Sequence, residues 1–191
     1  MTERIGAIVL AGGRSSRFGR DKLAEPLDGR PLLHHAIAAV RVLTDEIVVV
    51  AATETEPALP EGVRLVHDDR PFEGPLVALG VGLAASPVDR VIVVGGDMPF
   101  LAPAVLRRLL AAIHEEATAA ILEVDGPRAI LPFALAVGPA RPAVQRLVSA
   151  GGRRLGALLD VLDVRVVPAA LWRSDDPDGR TLRDIDSPDD L

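Results

Sequence analysis

The feature that most constrains the fold is an alternation along the chain. Short runs of β-branched and aliphatic residues alternate with Ala/Leu-rich stretches of about 10–13 residues, long enough to be helices. The runs fall at residues 5–10, 46–50, 63–67, 90–94, 119–124, 132–137 and 164–167, and the helical stretches at 31–43, 75–85, 103–116, 139–149 and 154–162. Val91-Ile92-Val93-Val94 offers no polar side chain to either face, the pattern of a parallel strand covered by helices on both sides. Prolines stand at or near the helix starts, at Pro31, Pro75, Pro103 and Pro139, where the missing N–H would have no helical partner anyway. Alternating strands and helices predict a doubly wound α/β domain. With 3% aromatic residues and no tyrosine, its core must be aliphatic.

Charge and composition narrow the function. The net charge of −6, with no basic stripe or arm, argues against a nucleic-acid binder. An anionic substrate would need a local basic pocket, and residues 14–22 offer one. The absence of cysteine excludes disulfides and thiolate metal sites. No apolar run approaches the roughly 18 residues needed to cross a bilayer, and the first residues are too short for a secretory segment. A cytoplasmic protein is expected, with no membrane partner.

Lys22 is the sole lysine among 21 basic residues, and it follows the strand-and-glycine stretch LAGGRSSRFGRDK. Free N–H groups in such a turn point at an anion, so a phosphate cradle is expected. Two common motifs are excluded. A Walker A loop has Lys directly after its last Gly, whereas Arg20 and Asp21 separate Gly19 from Lys22. The dinucleotide fingerprint needs G-x-G-x-x-G, but Gly12 and Gly13 are adjacent. Further along, the strand at 90–94 runs into Gly95-Gly96-Asp97-Met98-Pro99-Phe100. A carboxylate at that strand end is a hard oxygen ligand suited to Mg²⁺; the alternative is a cap on the helix near Pro103. Gly74-Pro75-Leu76 opens a helix whose N–H groups and dipole favour an anion. Arg153-Arg154 either holds a phosphate or is a solvated helix start. The acidic run at 174–179 reads as a solvated turn, and His34-His35 as structural.

Leu10-Ala11-Gly12-Gly13, then Arg17-Phe18-Gly19 and Lys22, resembles the opening motif of nucleotidyltransferases that build activated sugars and molybdenum cofactors. Asp97-Met98-Pro99-Phe100 resembles their second motif; Asp68 followed by Gly74-Pro75-Leu76, and Gly151-Gly152-Arg153-Arg154, match further segments in order. Across residues 5–191 the chain resembles the MobA-type molybdenum cofactor guanylyltransferases. The resemblance implies one Rossmann-like three-layer α/β/α domain with a mostly parallel sheet over 1–191, its nucleotide-binding half about 1–115 and its acceptor-facing half about 116–191. It implies Mg²⁺-dependent transfer of GMP from GTP to the phosphate of molybdopterin, with release of pyrophosphate. Lys22, Arg17 and Asp97 would be catalytic. Leu10, Ala11, Gly12, Gly13, Lys22, Asp68 (with Asp69 beside it), Gly74, Pro75 and Asp97 would bind the nucleotide. Asp97 and Asp186 would hold the metal, and Arg153, Arg154 and Asp184 would face the acceptor. A monomer or weak oligomer is expected.

The chain departs from that family at three places. Ala51-Ala52 stands where Asn often follows the second strand, Leu131-Pro132 replaces a His-Pro, and the closing N-x-N-T-P is Asp184-Ile185-Asp186-Ser187-Pro188. That ending is nearer the cytidylyltransferase relatives, while Gly12-Gly13 is the guanine form. CTP as donor, a sugar phosphate as acceptor, and a nucleotide-binding module without catalysis are the alternatives. For Asp186 the alternative to a metal ligand is that it, or Ser187, caps a final turn beginning at Pro188.

Overall fold

The computed structural model describes residues 3–12, 21–68, 73–114, 116–126 and 129–190. In chain order the first half comprises β1 (Ile5–Ala11), a 3₁₀ turn (Lys22–Ala24), β2 (Pro26–Leu27), β3 (Arg30–Pro31), α1 (Leu32–Arg41), β4 (Ile47–Ala52), β5 (Arg64–Asp68) and α2 (Pro75–Ala85). Then follow β6 (Arg90–Gly95), α3 (Pro103–Ala111), β7 (Ala119–Leu122), β8 (Phe133–Ala136), α4 (Val137–Ser149), α5 (Leu155–Leu159), β9 (Val164–Val167) and α6 (Ala169–Trp172). Two further 3₁₀ turns, Arg180–Leu182 and Pro188–Asp190, lie in the closing segment.

Seven strands make one sheet in the order β5-β4-β1-β6-β8-β7-β9. Strand β1 is central, parallel to β4 and to β6. Its side chains alternate between two cores: Ala7, Val9 and Ala11 join α1 and α3, while Ile8 and Leu10 join α2, α4 and α5. Strand β6 divides in the same way, Ile92 and Val94 against Val91 and Val93. An unbroken apolar strand is thus used on both faces, and the fold is the three-layer α/β/α arrangement expected.

Only β8 runs against the rest, antiparallel to β6 and to β7. Helix α3 stops at Ala111, short of the expected residue 116, because His114 and Ala117 exchange backbone hydrogen bonds and turn the chain into β7. The hairpin β2–β3 and the short helix α6 were not anticipated. The hairpin had a signal: Asp28-Gly29 adopts positive φ at both turn residues, 50° and 75°, which that dipeptide favours. No helix among the described residues is long and apolar enough to cross a membrane.

Candidate active site

The site lies at the carboxyl ends of β1 and β6, where ligands bind in open α/β sheets. Beyond β6 the Gly96 amide donates to the Leu10 carbonyl at 3.0 Å, which closes the two strand ends together. The two glycines keep this turn close to its neighbours. A Cβ on Gly95 would meet Asp97 Oδ1 at 2.5 Å, and one on Gly96 would meet Leu33 Cδ1 at 3.1 Å. Asp97 emerges from this turn half-buried. Its alternative role as a helix cap is corrected: α3 has Ala102 at its N-cap, whose amide donates to Thr181 Oγ1.

Lys22 reaches Asp97 from its own small scaffold. Asp21 caps the 3₁₀ turn by accepting from the Leu23 amide at 3.0 Å, and Leu23 packs into the core beside α1. The Lys22 Nζ then donates to Asp97 Oδ2 at 2.9 Å and to Asp186 Oδ1 at 3.3 Å. Its side chain is only 14% exposed. Burial works against its charge, but the hydrogen bonds and fields of Asp97 and then Asp186 outweigh it and hold the ammonium above the usual lysine pKa.

The third component is the closing segment. Ile185 is fully buried and its amide donates to the Asp97 carbonyl at 3.0 Å, so residues 184–186 are fastened to Asp97 itself. Upstream, the buried Asp176 accepts from the amides of Arg180 and Thr181, at 3.1 and 2.7 Å. Asp175 pairs with Arg108. The reading of 174–179 as a solvated turn is thereby corrected: two of its carboxylates anchor the strap that carries Asp184 and Asp186. These two residues, one position apart from Ile185 on either side, join Asp97 in a cluster whose ligand oxygens lie within 4.8 Å of one another. Asp184, expected to face the acceptor, is thus a member of the carboxylate cluster. Burial first, and repulsion from Asp186 second, raise its pKa above the ordinary carboxylate range. Capping of the final turn falls to Asp190, which accepts from the Asp186 and Ser187 amides and from Ser187 Oγ; the Asp186 carboxylate meets Lys22 instead.

Other expected site residues lie around this centre. Leu10 and Ala11 are buried at the end of β1, and Gly12 is exposed with open space about it. Gly13, Arg17 and Asp69 lie outside the described residues. Asp68 is buried at the end of β5, its carbonyl accepting from Thr53 Oγ1. At the start of α2 the expected free N–H groups are corrected. The Leu76 amide donates to the Arg153 carbonyl at 3.2 Å and the Val77 amide to the Gly74 carbonyl at 3.1 Å. Gly74, at φ 111°, is needed because a Cβ would lie 2.6 Å from that same Arg153 carbonyl. The Arg153 guanidinium donates to the Gly152 carbonyl at 3.0 Å and lies 3.5 Å from Glu73, while Arg154 is exposed at the N-cap of α5. His34 and His35 each hydrogen-bond a backbone carbonyl, of Ala58 and Leu27. Asp21 was missed in the sequence, though an aspartate directly before a turn is the ordinary cap signal.

Comparison with known proteins points to one family. The model of the MobA-like NTP transferase domain matches residues 7–166. A protein of Chloroflexus aggregans named "Probable molybdenum cofactor guanylyltransferase" is 34% identical, covering 98% of this chain and 91% of its own. One of the same name from Mycobacterium avium is 31% identical, over 98% of this chain and 93% of its own. The crystal structure of molybdopterin-guanine dinucleotide biosynthesis protein A from Archaeoglobus fulgidus has the same fold, with a TM-score of 0.76 at 24% identity over 97% of this chain and 94% of its own. A lysine on a short turn, set against an aspartate just beyond the end of β6, and a family match over most of the length lead to one assignment: the chain belongs to the MobA-like NTP transferase family and is a nucleotidyltransferase.

Proposed function

We propose that this chain transfers GMP from GTP to the phosphate of molybdopterin and releases pyrophosphate, acting as a single unit over residues 1–191. The observation that carries the reading is the contact of Lys22 with Asp97 and Asp186 at the joined ends of β1 and β6. The names of the relatives, molybdenum cofactor guanylyltransferases, support guanylyl transfer to a molybdenum cofactor. Three carboxylates with oxygens within 4.8 Å fit a hard divalent cation, and Asp97 and Asp186 would hold Mg²⁺ there. When bound, Mg²⁺ supplies charge neutralisation for the triphosphate.

The chain's own residues do the rest. The Leu10–Gly13 loop wraps the nucleotide, and Asp68 and the Gly74-Pro75 turn bound its pocket. Lys22, with Arg17 of the same loop, meets charge developing on the phosphates as the acceptor phosphate attacks the α-phosphorus in line. No covalent enzyme intermediate is needed. Arg154, exposed beside the braced Arg153, would face the acceptor.

The decisive measurement is pyrophosphate release with GTP, CTP, ATP and UTP, with and without molybdopterin. Release that requires both GTP and molybdopterin is expected. The Asp184-x-Asp186-Ser187-Pro188 ending favours a second reading, cytidylyl transfer, and a clear preference for CTP would establish it in place of the first.

A further inference from the structure

The lysine that should meet phosphates is engaged by carboxylates. Its Nζ lies 2.9 Å from Asp97 Oδ2 and 3.3 Å from Asp186 Oδ1, and its side chain is 14% exposed against 57% for Asp186. These are the two carboxylates assigned to the divalent cation. An ion bridging them would need oxygens at about 2.0–2.1 Å, on groups whose lone pairs already face an ammonium. Two cations would then share one small site, and the nearer they lie, the more they repel. Three carboxylates against one ammonium leave the cluster net negative, so the site attracts a cation while its best oxygens are occupied by an internal one.

We propose, resting on the nucleotidyltransferase reading above, that Lys22 is a resident counter-ion: in the ligand-free protein it closes the divalent-metal position by holding Asp97 and Asp186, and the triphosphate opens that position by drawing the ammonium onto its own oxygens. The exchange leaves neither anionic group without a cation. The ammonium trades carboxylate oxygens for phosphate oxygens, and the divalent ion takes the carboxylates that it leaves. Such a move asks for a compact charge on a flexible stem. A guanidinium would fork onto a carboxylate and stay there. A chain that writes every other basic residue as arginine keeps lysine at this position. Metal therefore enters with, or after, nucleotide.

The test is Mn²⁺ binding, followed by electron paramagnetic resonance of free Mn²⁺, with the full-length chain. Without nucleotide, Lys22→Gln is expected to bind Mn²⁺ at least tenfold more tightly than the unaltered chain, and with a non-hydrolysable GTP analogue the difference should shrink to a few-fold. Arg183→Gln, which removes a charge with no ion-pair partner in the cluster, controls for net charge. Equal tightening by Arg183→Gln and Lys22→Gln, or no tightening by Lys22→Gln, overturns the proposal. Failure of either protein to take up Mn²⁺ even with the analogue would instead overturn the metal assignment on which it rests. A second readout needs no substitution. Lys22 is the only lysine, so reductive ¹³C-methylation places one side-chain label besides the terminal amine. Its resonance should move on adding the GTP analogue with Mg²⁺ and stay in place with the same Mg²⁺ alone. A shift with Mg²⁺ alone equal to that with both overturns the proposal.

Discussion

At the scale of single residues, Lys22 and Asp184 stand in opposite electrostatic situations. Lys22 gains from its neighbours, and in the proposed reaction its charge would be used most fully as negative charge builds on the phosphates. Lys22→Ala should cost about 2–4 kcal/mol of barrier, so kcat should fall roughly 30- to 1,000-fold while GTP affinity changes less. Steady-state rates with a titration of GTP binding check this. Asp184 carries a penalty: burial and then Asp186 push its folded pKa above 3.8. The folded state therefore holds that proton when the unfolded chain has lost it. The stability contribution is complete below pH 3.8, is lost as pH rises through the folded value, and leaves a burden at neutrality. Asp184→Asn should raise the ligand-free Tm at pH 7, by no more than about 2 °C because solvent still screens this partly exposed carboxylate, and leave it unchanged at pH 3. Thermal melts at the two pH values decide it. Lys22 and Asp97 were legible in the sequence because their chemistry depends on side-chain type at a fixed spacing. Arg153 was not, since what it gives to α2 is a backbone carbonyl, which any residue possesses.

At the scale of elements, the strands were legible wherever a run is apolar on both faces, as in β1, β4 and β6, because such runs leave few alternatives. The direction of β8 was not, for antiparallel and parallel core strands draw on the same residues. Helix α2 shows how closely an element can be fitted to the sheet. It carries no charged residue, and Gly82 lies directly against β1 and β4. A Cβ there would meet Ile8 Cγ2 at 2.7 Å and Val50 Cγ2 at 3.0 Å, both on buried side chains. Gly82→Ala should therefore destabilise by about 1–3 kcal/mol through overpacking, lowering Tm by about 3–10 °C. Gly138→Ala in α4, where a Cβ meets nothing within 4 Å, should show no such loss. Denaturant melts of the two variants side by side test the difference.

At the scale of the whole molecule, one sheet gathers groups from both ends of the chain at a single edge. The acidic net charge leaves nucleotide binding to local cations, so binding should stabilise the fold strongly only where it satisfies both signs together. GTP analogue with Mg²⁺ at one hundred times its Kd should add about 2.7 kcal/mol, or roughly 5–10 °C in Tm, while Mg²⁺ alone should add far less; differential scanning fluorimetry measures both. The contact between Lys22 and Asp186 spans 164 residues, and that span has a consequence in time. On the ribosome, residue 22 is made long before residue 186, and no other order is possible. Loop closure over such a separation has to wait for the intervening sheet to bring the ends near. Until then Lys22 faces at most one of its aspartates, and the strap held by Asp176 and Ile185 has no surface on which to lie. Nascent and half-folded chains thus lack a finished centre. The cell gains a nucleotide-consuming catalyst only once the whole topology has been threaded, so completion of the fold itself acts as the inspection step.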